Sequence, residues 1–196
     1  MERKSIVKGA LLSLILCTVF TPVFAKTAET VTRQNAAQSK TIAFARGEVS
    51  INVPAGFKSL SKAEIARIYK ITPLPEAVWH KPTDKGDVTL VVISPFPDKP
   101  VGSERMIPKI AQMLQSRMEK ESVGGVTLTN KIVNEHQVSR LEYAMSAINQ
   151  KKILVHSVAQ ISEHQDRVLM ITFSAPQGIM KASMPEAIAS LDSVKY

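Results

Sequence analysis

The chain has 196 residues, a formal net charge of +8 and a composition that is 44% hydrophobic and 5% aromatic. That length suits one ordinary domain, long enough to bury a core without covalent staples. The single cysteine, Cys17, falls in a segment expected to be removed, which excludes a disulfide framework, a thiol nucleophile and a zinc–thiolate site from the mature protein.

The chain opens with Arg3, Lys4 and Lys8, followed by the apolar run Ala10–Phe20 and the small-residue ending Val23-Phe24-Ala25. Basic, apolar and small, in that order, describes a secretory signal peptide over residues 1–25. The apolar run is about 11 residues against the roughly 20 that a membrane span needs, and Pro22 would end a helix there. Lipidation at Cys17 wants a small preceding residue, and Leu16 stands in that place. The mature chain is therefore expected to run from Lys26 to Tyr196 in the periplasm, with secretion beyond the outer membrane left open. Removal of Glu2, Arg3, Lys4 and Lys8 takes +2 from the total and leaves about +6. That balance suits anionic headgroups or acidic protein partners, although plain solubility accounts for it as well. Export argues against nucleic acid.

Lys26–Lys40 is polar, lacks aromatic residues and shows no lasting apolar period, so it reads as a flexible leader. One domain over residues 41–196 follows. Thr41–Ala45 and Glu48–Val53 flank Arg46-Gly47 as a hairpin. Ser61 with Glu64 forms a capping box, and Ile65, Ile68 and Tyr69 give one helical stripe over Lys62–Lys70. Pro73 and Pro75 break that helix. Ala77–Lys81 and Asp87–Ser94 form a second hairpin around the turn residues Pro82–Gly86. After the proline-rich Pro95–Gly102, the longest helix is expected from Ser103 or Glu104 to about Glu121. Ile107, Ile110, Leu114 and Met118 lie on its buried face, widened by Met106, Ala111 and Met113. Pro108 fits its first turn, and Gly124-Gly125 ends it.

Four strand-like runs come next: Val126–Asn134, Val138–Ile148, Ile153–Ser162 and Arg167–Ser174. Their short connectors, Glu135–Gln137, Asn149–Lys152 and Glu163–Asp166, force an antiparallel meander. A last helix over about Ser183–Asp192 closes the domain. In the third run, Ile153, Val155, Ser157, Ala159 and Ile161 share one face, and Leu154, His156, Val158 and Gln160 share the other. That pattern suits a sheet covered fully on one side and partly on the other. Helices segregated from a mostly antiparallel sheet define an α+β fold.

Gly47–Lys62 (GEVSINVPAGFKSLSK), the long mid-chain helix, the meander and the closing Ala189–Ser193 resemble the PsbP-like fold, shared by DcrB-like periplasmic proteins of bacteria. Phe57 stands where the family usually has tryptophan. The resemblance implies a PsbP-like α/β sandwich over about Thr41–Tyr196. It also implies a binding, accessory or assembly role without a shared catalytic residue.

The chemistry-bearing residues agree with that. His136 and His164 fall in expected turns, His80 at a strand end and His156 inside a strand, none at metal-ligand spacing from another. Glu163-His164-Gln165-Asp166 reads as a solvated turn. Ser59–Lys62 matches S-x-x-K by letter, but Ser61 is explained as a helix cap, and no G-x-S-x-G elbow occurs. Asp84 and Asp87 flank a turn. Lys58, Lys62, Arg67 and Lys70 crowd the first helix, and Lys151-Lys152 marks a hairpin tip; both sets read as ordinary charged surface. Trp79 is expected to pack in the core more than to anchor a partner. No catalytic, cofactor-binding or metal site follows from the sequence. The expectation is a non-catalytic accessory or binding protein of the cell envelope, with an envelope protein as partner and weak contact with an anionic membrane surface as a further option. The alternative is a small-ligand or lipid-binding domain that uses the space between sheet and helices.

Overall fold

Alternating apolar residues in Lys40–Phe44 (β1) and Val49–Val53 (β2) pair as an antiparallel hairpin, and Val49, Ile51 and Val53 turn one buried face inward. The computed structural model describes residues 39–69, 71, 73–93, 100–147 and 150–196. The expected signal peptide, nearly all of the expected leader, Lys70, most of Pro95–Gly102 and the side chains of Lys151-Lys152 lie outside the described residues.

After β2, the Pro54–Phe57 turn needs Gly56, whose φ of +81° is strained for any residue with a Cβ. The turn places the Phe57 ring 5.9 Å from that of Phe173 in the core. Lys58–Ser59 (β3) then leads into Lys62–Ile68 (α1). The capping box is present in full: Glu64 N–H donates to Ser61 Oγ, and the Glu64 carboxylate accepts from Ser61 N–H at 2.8 Å. The Ser61 hydroxyl, which donates to Glu64 Oε2 at 2.7 Å, and the Ser61 N–H hold the Glu64 carboxyl below its ordinary range.

Ala77–Lys81 (β4), Val88–Ile93 (β5), Val126–Val133 (β6), His136–Ala147 (β7), Gln150–His164 (β8) and Arg167–Pro176 (β9) complete a seven-stranded sheet with β3. Every pair is antiparallel, in the order β3-β4-β5-β9-β8-β7-β6. The meander is as expected, but two turns are tighter than the sequence suggests. Asn134-Glu135 (φ 45° and 72°) and Gln165-Asp166 (φ 53° and 59°) are two-residue turns with both central residues left-handed. That twist matches the flanking strands. His136 and His164 are therefore strand ends, not turn residues.

Ile107–Met118 (α2) and Gln177–Asp192 (α3) cover opposite faces of the sheet. Here the expected lengths are corrected. α2 has 12 residues, preceded by a single 3-10 turn at Glu104–Met106 and with Pro108 in its first turn. α3, with 16 residues, is the longest described helix and starts six residues before the expected Ser183. Pro185 hid that start, because a mid-helix proline removes one backbone hydrogen bond. Pro185 is exposed, so the freed carbonyl can turn to water.

Two cores result. One joins α1 and α2 to the sheet through Ile65, Ile107, Ala111, Leu114, Met118, Leu141 and Ile161. The other joins α3 and the β1–β2 hairpin to the reverse face through Ile51, Trp79, Leu90, Phe173, Met180 and Leu191. Trp79 is a core residue, 5% exposed. On the mixed face of β8, Val158 and Gln160 are buried beneath α3, while Leu154 and His156 are half-buried toward the margin.

Candidate functional site

The four histidines do not converge; each meets a carboxylate in a different part of the fold. His80 lies 3.7 Å from Asp87 across the β4–β5 hairpin. His156 lies 3.0 Å from Glu142 on the neighbouring strand. His164 reaches Glu48, before β2, at 3.1 Å. His136 contacts Glu104, ahead of α2, and its ring packs 4.4 Å from that of Tyr196. Among the described residues, no group of three or more His, Cys, Asp or Glu could hold a metal ion.

One row of polar side chains crosses the sheet beneath the α1–α2 layer. In register from β4 to β7 it reads His80, Thr89, Ser174, Ser157, Tyr143. Ser157 and Ser174 hydroxyls are 2.8 Å apart. Burial pushes the Tyr143 hydroxyl up to about 12, and its hydrogen bond with Ser157 offsets part of that shift. Tyr143 is thus a neutral phenol at any physiological pH. The row superficially offers Asp87, His80 and a serine, but Ser174 is two strands from His80, roughly 10 Å at sheet spacing. A relay needs hydrogen-bond reach between base and nucleophile, and His80 and Ser174 lack it.

On the other face, the sheet is tied to the end of α3. Arg140, 7% exposed, donates from Nε and Nη2 to Gln160 Oε1 at 2.9 and 2.6 Å, and from Nη2 to Asp192 Oδ1 at 2.6 Å. Lys131 Nζ donates to the same oxygen at 2.7 Å, and Gln160 Nε2 donates to Leu191 O at 3.1 Å. Burial opposes ionisation of Asp192; the hydrogen bonds from Lys131 and Arg140 outweigh it and hold the carboxyl below its ordinary range. The two cations also face the negative end of the α3 dipole. The sequence reading missed Arg140 and Asp192. Their signal was a lone arginine in a strand otherwise fit for burial, which must find a partner.

The expected basic cluster is partly observed. Lys58, Lys62 and Arg67 are exposed around α1. A second cationic surface was not anticipated. Met106 and Met113, expected in the core, are 39% and 45% exposed, because the buried stripe of α2 is the narrower set Ile107, Ala111, Leu114 and Met118. Lys109, Met113 and Arg117 follow one another at intervals of four on the solvent side.

The backbone resembles solved structures at low identity. Cyanobacterial PsbP (CyanoP) from Synechocystis sp. PCC 6803 matches with a TM-score of 0.53 and 9% identity, over 85% of this chain and 97% of that one. LpqN of Mycobacterium tuberculosis, described as involved in cell envelope biogenesis, matches with a TM-score of 0.48 and 13% identity over 82% and 91%. PA94 from Pseudomonas aeruginosa, a putative regulator by its description, gives 0.46 and 12% over 80% and 95%. No family model and no curated protein sequence matches the chain. What the first likeness shows is the fold alone: the chain has an α+β, PsbP-like fold.

Proposed function

We propose that the chain is an exported, non-catalytic accessory or binding protein of the bacterial cell envelope, acting through contacts with another envelope protein. The observation that carries this reading is how the reactive side chains are used. Each histidine is held by a carboxylate of its own region, and the buried serine row and Arg140 are tied into the sheet. Chemistry that in an enzyme would converge is here spent on joining elements. The PsbP-like fold and the basic, apolar and small opening of the sequence support the reading. The alternative, a small-ligand or lipid-binding domain, is weaker because Ile107, Ala111, Leu114 and Met118 fill the space beneath α2. In-cell crosslinking of the tagged protein, followed by mass spectrometry, tests the proposal. It expects one envelope protein enriched well above background; an empty crosslink profile rejects it.

A further inference from the structure

We propose that the outward face of α2 is the docking surface for an acidic protein segment that also carries apolar side chains. This rests on the envelope-binding reading and names the surface and the partner's chemistry.

Three facts point there. First, Lys109, Met113 and Arg117 form a stripe at i, i+4 and i+8, about 12 Å long at the helical rise. Met106 stands three residues before it and Lys120 three residues after, in the turn that follows α2, so two methionines and three cations lie along the solvent side. Second, none of Lys109, Arg117 and Lys120 has an ion-pair partner among the described residues, whereas Lys81, Lys131 and Arg140 do. Glu104 is engaged by His136 and Gln137, and Glu119 and Glu121 are exposed on either side of Lys120 in the turn after α2, with no ion pair to the stripe among the described residues. Third, the face is rigid. Four buried side chains fix α2 to the sheet, and Gln115 Nε2 donates to Val126 O at 2.8 Å.

A cationic stripe free of ion pairs is complementary to carboxylates and speeds encounter with them. The two exposed methionines add a deformable apolar contact that adapts to a partner's side chains. A lipid surface is the lesser match, because interfacial helices hold themselves by broad apolar area and this stripe offers two methionines and no aromatic residue.

The test places a photo-crosslinking amino acid at Met113 and, as control, at Lys181, an exposed position on α3. Both are expressed in the full-length chain, with and without the triple reversal K109E/R117E/K120E. The expected result is a protein adduct at Met113 but not at Lys181. Its crosslinked peptide is acidic, and the reversal lowers its yield at least about tenfold. An unchanged melting temperature for the reversed variant keeps the loss from being a folding defect. Adducts indifferent to the reversal overturn the proposal. So does a Met113 probe that reports only lipid while wild type, and not the reversed variant, sediments with phosphatidylglycerol vesicles. A partner captured by general crosslinking but absent from Met113 rejects this surface and leaves the envelope-binding reading standing.

Discussion

Arg140, on the floor of the sheet, donates to Asp192, the last residue of α3, at 2.6 Å across 52 positions of sequence. That bond closes the sandwich. It fixes the helix end over β6, β7 and β8 and holds a buried guanidinium in place. Asp192→Ala leaves Arg140 with Gln160 alone. Discounted for the partial exposure of Asp192, the expected cost is roughly 1–3 kcal/mol, read as a lower urea midpoint with an unchanged slope.

The same pair sets an acid limit on stability. The folded carboxyl of Asp192 lies below its ordinary range. Its contribution is complete above the unfolded value of about 4 and disappears as the pH falls through the lowered folded value. Unfolding followed from pH 7 down to strongly acid buffer will show a smaller loss for Asp192→Asn than for wild type.

At the other end of the scale, Tyr143 ionises at about 12 in the folded state against 10.0 unfolded. A raised value means that its stabilising effect is whole below the unfolded value and lost as the pH rises toward the folded one. Ultraviolet titration of phenolate absorbance will show Tyr143 ionising late, as will Tyr196, which burial also raises, and Tyr143→Phe will reduce the late amplitude by one tyrosine.

Core and surface residues of α2 separate cleanly. Ile107→Ala removes a fully buried side chain and costs about 2–5 kcal/mol. Met113→Ser, one residue before the buried Leu114, stays within about 0.5 kcal/mol of wild type. Thermal melts of the two variants decide this.

Glu135 carries a φ of 72° in a two-residue turn. Left-handed backbone costs a side chain-bearing residue roughly 1 kcal/mol, so Glu135→Gly, which gives the Asn-Gly pair that such turns favour, is expected to stabilise the protein. Part of the gain is lost to a freer unfolded chain, leaving a few tenths of a kcal/mol. A higher urea midpoint is the readout.

Local rules carried far along this chain. The Ser61–Glu64 box, both N-terminal hairpins and the antiparallel meander were legible because each is encoded within a few residues. Three features were not. The Arg140–Gln160–Asp192 bonds depend on strand register and on where α3 ends, neither of which is local. Met113 fits a broad apolar stripe as well as Ile110 does, and only the lie of α2 on β6 and β7 decides which flank is wet. The start of α3 was masked by Pro185, whose cost is low because that side of the helix faces solvent.

The function proposed for this protein is to hold another envelope protein. Titration calorimetry of the purified protein against the envelope protein that crosslinking captures is the direct measurement. Saturable binding with a Kd of about micromolar or below is the predicted result. No heat of binding, with the captured protein released intact under native conditions, would contradict it.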